Sequence, residues 1–262
     1  MFLPVLVSFV FKLFFRSVTL RFLALLALAP AIAFGQADYA REKRWADEIV
    51  PAILVGDAVQ LELPSGRRFL GIYAPGRPAG PGVIVVHGLG VHPDWSLINV
   101  LRSQLADQGY ATLAVQMPVL ASDAKAEQYP PLFPEAAERL AAAARFMHAK
   151  GHAKVAIVSH SLGARMTNHF LEHAAEPGVD AWVSIGILGP YTGAERLKIP
   201  VLDIYGERDF ASVRDNAAGR ADRLRRIRGS AQIEVPAADH FFAGQEPALV
   251  RHVKLFLDQK LR

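Results

Sequence analysis

The 262-residue sequence contains no cysteine, which removes disulfide bridges, thiolate nucleophiles and cysteine-ligated metals together. A cysteine-free chain can still fold in an oxidising compartment; it gains nothing from oxidation there. No internal repeat and no low-complexity linker divides the chain. Acidic residues are missing from residues 1–35, which carry Lys12, Arg16 and Arg21. Within that segment the apolar stretch Phe22–Phe34 falls short of the ~20 residues a membrane span needs. Its small residues Ala31, Ala33 and Gly35 suit signal-peptidase cleavage near Ala33 or Gly35. Met1–Phe15 is also apolar, so an N-terminal membrane anchor stands as the alternative to an export signal. A start of translation at Val18 would leave an ordinary secretory signal. The expectation is an exported protein, periplasmic or secreted, with residues 36–262 as a single domain.

Without residues 1–35 the net charge drops from +4 by three positive charges to +1, so much of the basicity belongs to the leader. What remains is a run of Arg214, Arg220, Arg223, Arg225, Arg226 and Arg228, which reads as a solvated helix face. No nucleic-acid-binding motif accompanies it. Hydrophobic residues make up 52% of the chain and charged ones 21%, enough for a full core and unlike a disordered chain.

Strand and helix patterns alternate after a charged helical segment at Asp38–Ile53. Val59–Leu63 and Arg68–Tyr73 flank Pro64-Ser65-Gly66 as a hairpin. Strands are expected at Val83–Val86, Ala111–Gln116, Val155–Ser159, Ala181–Ile187, Val201–Tyr205 and Gln232–Val235. Helices are expected at Ser96–Gln108, Pro134–Lys150, Leu162–Ala175, near Ser212–Arg228, and at Pro247–Leu261. This order predicts an α/β fold: a mostly parallel sheet with helices on both faces. Ligands in such sheets collect at the carboxyl ends of the strands.

Functional residue types fall at those ends. Ser159-His160-Ser161-Leu162-Gly163 follows an apolar strand and opens a helix. A serine there occupies a sharp, strained turn that projects its hydroxyl above the sheet. The residues two before and two after it must be small; Gly163 satisfies one position and Ser159 replaces the usual glycine at the other. A serine hydroxyl needs a base to take its proton, and the base needs an acid to fix its tautomer. Asp209 lies just past strand Val201–Tyr205, and His240 just past strand Gln232–Val235. Serine, acid, histidine is the chain order this architecture uses. Asp203 and Glu207 compete for the acid's role, while Asp239 is better placed to cap a turn. His169 and His173 have helical spacing suited to a metal but no accompanying carboxylate motif, and read as surface residues. Pro93 stands where a dinucleotide fingerprint would need its third glycine, so no cofactor and no metal is expected.

From about Val59 to the C-terminus these motifs resemble the α/β-hydrolase superfamily. More narrowly, Gly90-Val91-His92-Pro93-Asp94-Trp95 and Leu113–Pro118 are similar to an uncharacterised bacterial group of exported α/β-hydrolase-like proteins. The resemblance implies ester, thioester or amide hydrolysis through an acyl-enzyme. It also places one oxyanion donor in the loop His87-Gly88-Leu89-Gly90, giving Leu89 and Leu162 as the expected backbone donors. Leu188–Pro200 is too short for a lid domain, so an open site is expected, partly walled by Val119–Phe133. Trp95, Tyr191, Phe210, Phe241 and Phe242 lie on loops near it; the first four are candidates for substrate contact. A small ester or thioester is the expected substrate. An acyltransferase and a non-catalytic envelope binding protein on the same scaffold are the alternatives.

Overall fold

Runs of valine, isoleucine and alanine too short for helices form the centre of the molecule, because β-branched side chains pack well on a pleated surface. In the computed structural model residues 36–193 and 195–261 are described; the expected signal or anchor at residues 1–35 lies outside them. No helix among the described residues is long and apolar enough to cross a membrane.

The chain begins with α1 (Tyr39–Ile49), capped by the Asp38 carboxylate, which accepts the Arg41 N–H. The antiparallel hairpin β1 (Asp57–Glu62) and β2 (Arg68–Ala74) follows, then β3 (Gly82–Val86), α2 (Ser96–Asp107) and β4 (Ala111–Val115). Next come α3 (Phe133–Ala149), β5 (Val155–His160), α4 (Leu162–His173) and β6 (Ala181–Ile185). The last third contains β7 (Val201–Gly206), α5 (Ala211–Arg214), α6 (Ala217–Leu224), β8 (Ala231–Val235) and α7 (Glu246–Lys260). The eight strands form one sheet in the order β1-β2-β4-β3-β5-β6-β7-β8. All neighbours from β4 to β8 in that order are parallel, and β2 runs antiparallel to β4.

Alternation along the central strands divides the core in two. Ile84 and Val86 join Leu113, Ile157 and the buried faces of α3 and α4 on one side. Val83 and Val85 join Ala114, Val158 and the apolar residues of α2 and α7 on the other. Helices therefore cover both faces, as the strand–helix alternation predicts.

The single helix expected near Ser212–Arg228 is instead two, broken at Asp215-Asn216. The Asn216 side-chain amide donates to the Ser212 carbonyl, a local bond that competes with the helical ladder. The arginine run corrects the sequence reading as well. Arg220 is 0% exposed, and its Nε donates to Asp203 at 2.8 Å. The other five arginines of the run are exposed.

Asp203 belongs to a polar row across the sheet. Ser159, Ser184, Asp203 and Gln232 are direct register partners on β5, β6, β7 and β8. Trp182 Nε1 donates to Ser159 Oγ at 2.7 Å, and Gln232 Nε2 donates to Asp203 at 2.7 Å. Burial raises the Asp203 carboxyl above its ordinary range, and the adjoining Arg220 guanidinium opposes that shift. Asp203→Ala leaves a buried guanidinium without its counter-charge, and urea unfolding should register a loss of about 3–5 kcal/mol. The double variant Asp203→Leu/Arg220→Met should recover most of it.

Candidate active site

Ser161 has φ 57° and ψ −123°, a backbone conformation that non-glycine residues rarely adopt. Two features impose it. Its N–H donates to the Ile185 carbonyl of β6 at 2.8 Å, which fixes the exit of β5. The helix then starts so close to β3 that a Cβ on Gly163 would lie 2.2 Å from the His87 carbonyl oxygen. Ser159 is tolerated two residues earlier because its hydroxyl accepts the Trp182 indole N–H.

Above the carboxyl edge of the sheet the three expected side chains meet. Ser161 Oγ lies 2.9 Å from His240 Nε2, and His240 Nδ1 lies 2.6 Å from Asp209 Oδ1. The carboxylate fixes the tautomer: Nδ1–H donates to Asp209, leaving Nε2 free to accept from Ser161. Asp209 is itself oriented by the Phe210 N–H at 2.7 Å. Ser161 keeps 7% exposure, while His240 and Asp209 keep 3% each. Gly186, just past β6, packs against the pair; a Cβ there would lie 3.1 Å from the His240 ring. The competing acids are occupied elsewhere. Asp203 pairs with Arg220, Glu207 accepts the Ala237 N–H, and Asp239 accepts the Phe241 and Ala243 N–H groups as a turn cap.

Leu162 opens α4, so its N–H has no partner within the helix. Neither it nor the Leu89 N–H donates to another group among the described residues. The loop bearing Leu89 is secured on several sides. His87 Nδ1–H donates to the Gly88 carbonyl, and His87 Nε2 accepts the Met117 N–H at 2.9 Å. Arg41 of α1 donates to the Gly90 carbonyl at 3.0 Å and the Leu120 carbonyl at 2.7 Å. The buried Arg102 pairs with Asp94, which also accepts from Asn99 and so holds the segment leading to Trp95. The role of α1 was invisible in the sequence. Its only local signal was a charged amphipathic segment, and its partners lie 49 and 79 residues away.

Aromatic residues surround the triplet. Phe210 stacks on His240 with ring centroids 4.2 Å apart, and Phe241 meets the same ring edge-on at 5.1 Å. Trp95 packs against Phe241 at 5.8 Å. Phe210 and Phe241 remain 50% and 45% exposed, and Leu89 40%. Tyr191 does not join them. Its ring is 1% exposed and packs edge-on against Trp182 within the core, which corrects its candidacy for substrate contact. Phe242 is likewise a core residue. Beside α4 runs a groove of about 690 Å3 lined by Phe133, Arg165, Asn168, His169, Leu188 and Pro190, among others. A cavity of about 520 Å3 opens where β3 and β4 begin, and it contains none of the residues around Ser161. Among the described residues no three or more His, Asp or Glu side chains form a group that could hold a metal.

A family model described as a protein of unknown function, DUF3530, matches residues 35–133. That span holds α1 and the Leu89 loop but not Ser161, Asp209 or His240. No curated protein matches the chain. Among solved structures, dienelactone hydrolase from Anabaena variabilis is 21% identical with a TM-score of 0.63, covering 78% of this chain and 97% of its own. XC6422 from Xanthomonas campestris, described as an α/β serine hydrolase without lid, is 17% identical with a TM-score of 0.62, covering 79% and 95%. The Pyrococcus furiosus esterase Pf2001 is 12% identical with a TM-score of 0.63, covering 79% and 93%. The chain has the α/β-hydrolase fold. Among the described residues its hydrolase scaffold carries no lid domain: only 15 residues lie between β6 and β7.

Two buried histidines tie this scaffold to pH. Burial lowers His87 to about 3, and His87 Nε2 already accepts the Met117 N–H. Burial first, and then the neighbouring His240, lowers His160 to about 4; its Nε2–H donates to the His240 carbonyl. Both are neutral when folded and titrate near 6.5 when unfolded. The contribution of these two histidines to stability should therefore be flat above about pH 6.5 and fall below it, until the folded-state values near 4 and 3 are reached. Each histidine adds a slope of about 1.4 kcal/mol per pH unit. Urea unfolding across pH 4 to 7 measures this, and His160→Gln should remove about one histidine's share. In the same assay Arg41→Ala, which strands the Gly90 and Leu120 carbonyls, should cost about 1–3 kcal/mol.

Proposed function

We propose that the chain is a serine hydrolase that cleaves a carboxylic ester or thioester through an acyl-enzyme. The observation that carries this reading is the continuous Ser161–His240–Asp209 hydrogen-bonded chain, with distances of 2.9 and 2.6 Å, at the strained turn. As Ser161 Oγ attacks the substrate carbonyl carbon, its proton passes to His240 Nε2. The carbonyl π electrons move to oxygen, where the Leu89 and Leu162 N–H groups stabilise the charge, each worth about 3 kcal/mol. Collapse of this intermediate breaks the bond to the leaving oxygen or sulfur, which takes the proton from His240. Water then attacks the acyl-serine, gives its proton to His240 Nε2, and a second collapse returns that proton to Ser161 Oγ as the acid leaves. Asp209 holds the tautomer and offsets the imidazolium charge in both halves. Trp95, Phe210 and Phe241 would meet the substrate's apolar portion. The basic, apolar leader of residues 1–35 supports export, with the domain acting in the periplasm or outside the cell.

Fluorophosphonate labelling of purified protein, with the adduct located by peptide mass spectrometry, tests the nucleophile without a known substrate. The expected adduct is on Ser161, absent in Ser161→Ala and strongly slowed in His240→Ala. Asp209→Asn should lower kcat about 10⁴-fold on any ester that is turned over, because the histidine loses its tautomer. Labelling of Ser161→Ala at the wild-type rate would remove the assignment.

A further inference from the structure

The arginines of this domain divide sharply by burial. Among those buried or half-buried in the described residues, Arg41, Arg102, Arg139 and Arg220 each donate to carbonyl or carboxylate oxygens. Arg165 is the exception. It is half-buried, and its guanidinium lies over the Phe133 ring at 5.7 Å. It makes no ion pair or side-chain hydrogen bond among the described residues. A half-buried guanidinium with no protein acceptor can bind a planar anion through two parallel hydrogen bonds.

Arg165 is one helical turn beyond Ser161, its backbone N–H reaching the Ser161 carbonyl at 3.4 Å. It lines the groove beside α4, as do Leu188, Gly189 and Pro190. The same loop begins at Gly186, packed against His240 and Asp209. The groove thus lies along the helix that Ser161 opens and the loop that follows Gly186, while Ser161, His240 and the collar aromatics lie outside its lining. Two carboxylates, Glu127 and Glu172, also line it, and among the described residues neither forms an ion pair with Arg165. Glu172 lies about two turns along α4 and accepts the Thr192 hydroxyl at 2.8 Å, and Glu127 is exposed at the rim.

We propose that this groove is a substrate subsite with Arg165 as its anion-recognising group, so that the preferred ester or thioester carries a carboxylate. This rests on the hydrolase reading above and goes beyond it by naming the charge of the substrate. The planar or apolar part next to the carboxylate would pack on Phe133 and Leu188, leaving the aromatic collar around His240 for the other side of the scissile bond.

Two matched ester pairs test it from either side of that bond: mono-p-nitrophenyl glutarate against p-nitrophenyl butyrate, and 4-butyryloxybenzoate against phenyl butyrate. At least one carboxylated ester should be preferred by about tenfold or more in kcat/KM, mainly through KM, as a charge-assisted hydrogen bond allows. Arg165→Gln should bring that ratio close to one, and Arg165→Lys should restore part of it. Parity of both pairs in the wild type, or a preference that survives Arg165→Gln, overturns the proposal. Calorimetry on Ser161→Ala with glutaranilic acid, an amide analogue that is not turned over, and with neutral butyranilide separates the two readings. Arg165-dependent binding of the acid by a protein that fails to label at Ser161 keeps the subsite and removes the hydrolase. Turnover with binding and ratio both indifferent to Arg165 does the reverse.

Discussion

The close approach of β5, α4 and β3 at Ser161 is the constraint on which the rest of the site depends. A non-glycine residue held at φ 57° costs of order 1–3 kcal/mol, and the turn persists only because its surroundings over-determine it. They do so through the Ser161–Ile185 backbone bond and through the absence of any side chain at Gly163. The result is a serine whose hydroxyl stands clear of the sheet while its neighbours stay buried. Once that point is fixed, the parallel register brings the ends of β7 and β8 alongside it, and with them Asp209 and His240. The imidazole then needs no adjustment to accept from Ser161, because Asp209, Gly186 and Phe210 bound it on separate sides.

Loops at the carboxyl edge lack the sheet's hydrogen bonds, and this protein holds them with buried and half-buried arginines. Arg102 secures the segment before Trp95, Arg41 the Gly90 turn, and Arg139 the end of β4 through the Gln116 carbonyl while pairing with Glu42 of α1. Such pairs add little net stability, since desolvation offsets most of the Coulomb attraction. Their value lies in direction: a guanidinium fork specifies where two or three oxygens must sit. Through Arg41 and Arg139, α1 becomes part of the support of the Leu89 loop, although it stands outside the sheet and far from Ser161 in sequence.

Strands, helices and the serine–acid–histidine order were legible because each depends on local pattern. A β-branched run bounded by glycine or proline is a strand wherever it occurs, and a polar residue just past it is at a strand end. What pattern could not reveal was partnership. Tyr191 looked like a loop aromatic beside the site, but Trp182 supplied a buried face for it to pack on. Arg220 looked like one charge in a solvated run, but the register that places Asp203 between Ser184 and Gln232 drew it inside. The expected helix there split because Asn216 found a carbonyl four residues back. In the first two cases the deciding contact joins residues whose spacing carries no periodic signal.

The open site has a further consequence. Electrostatic stabilisation of an oxyanion grows as water leaves, and many hydrolases exclude water by closing a lid. With only a short connection between β6 and β7, the described domain has no such element, and on the proposed mechanism the exclusion would fall to the exposed Leu89, Phe210 and Phe241 together with the substrate. Phe210 already covers one face of the His240 ring, so that a bound apolar group has only the mouth to seal. On the proposed mechanism, a substrate that fills the collar would do more than bind: it would complete the low-dielectric setting in which the Leu89 and Leu162 amides act. Groups too small to cover the mouth would leave the oxyanion hydrated, and discrimination among acyl or alcohol groups would then appear in kcat as well as in KM.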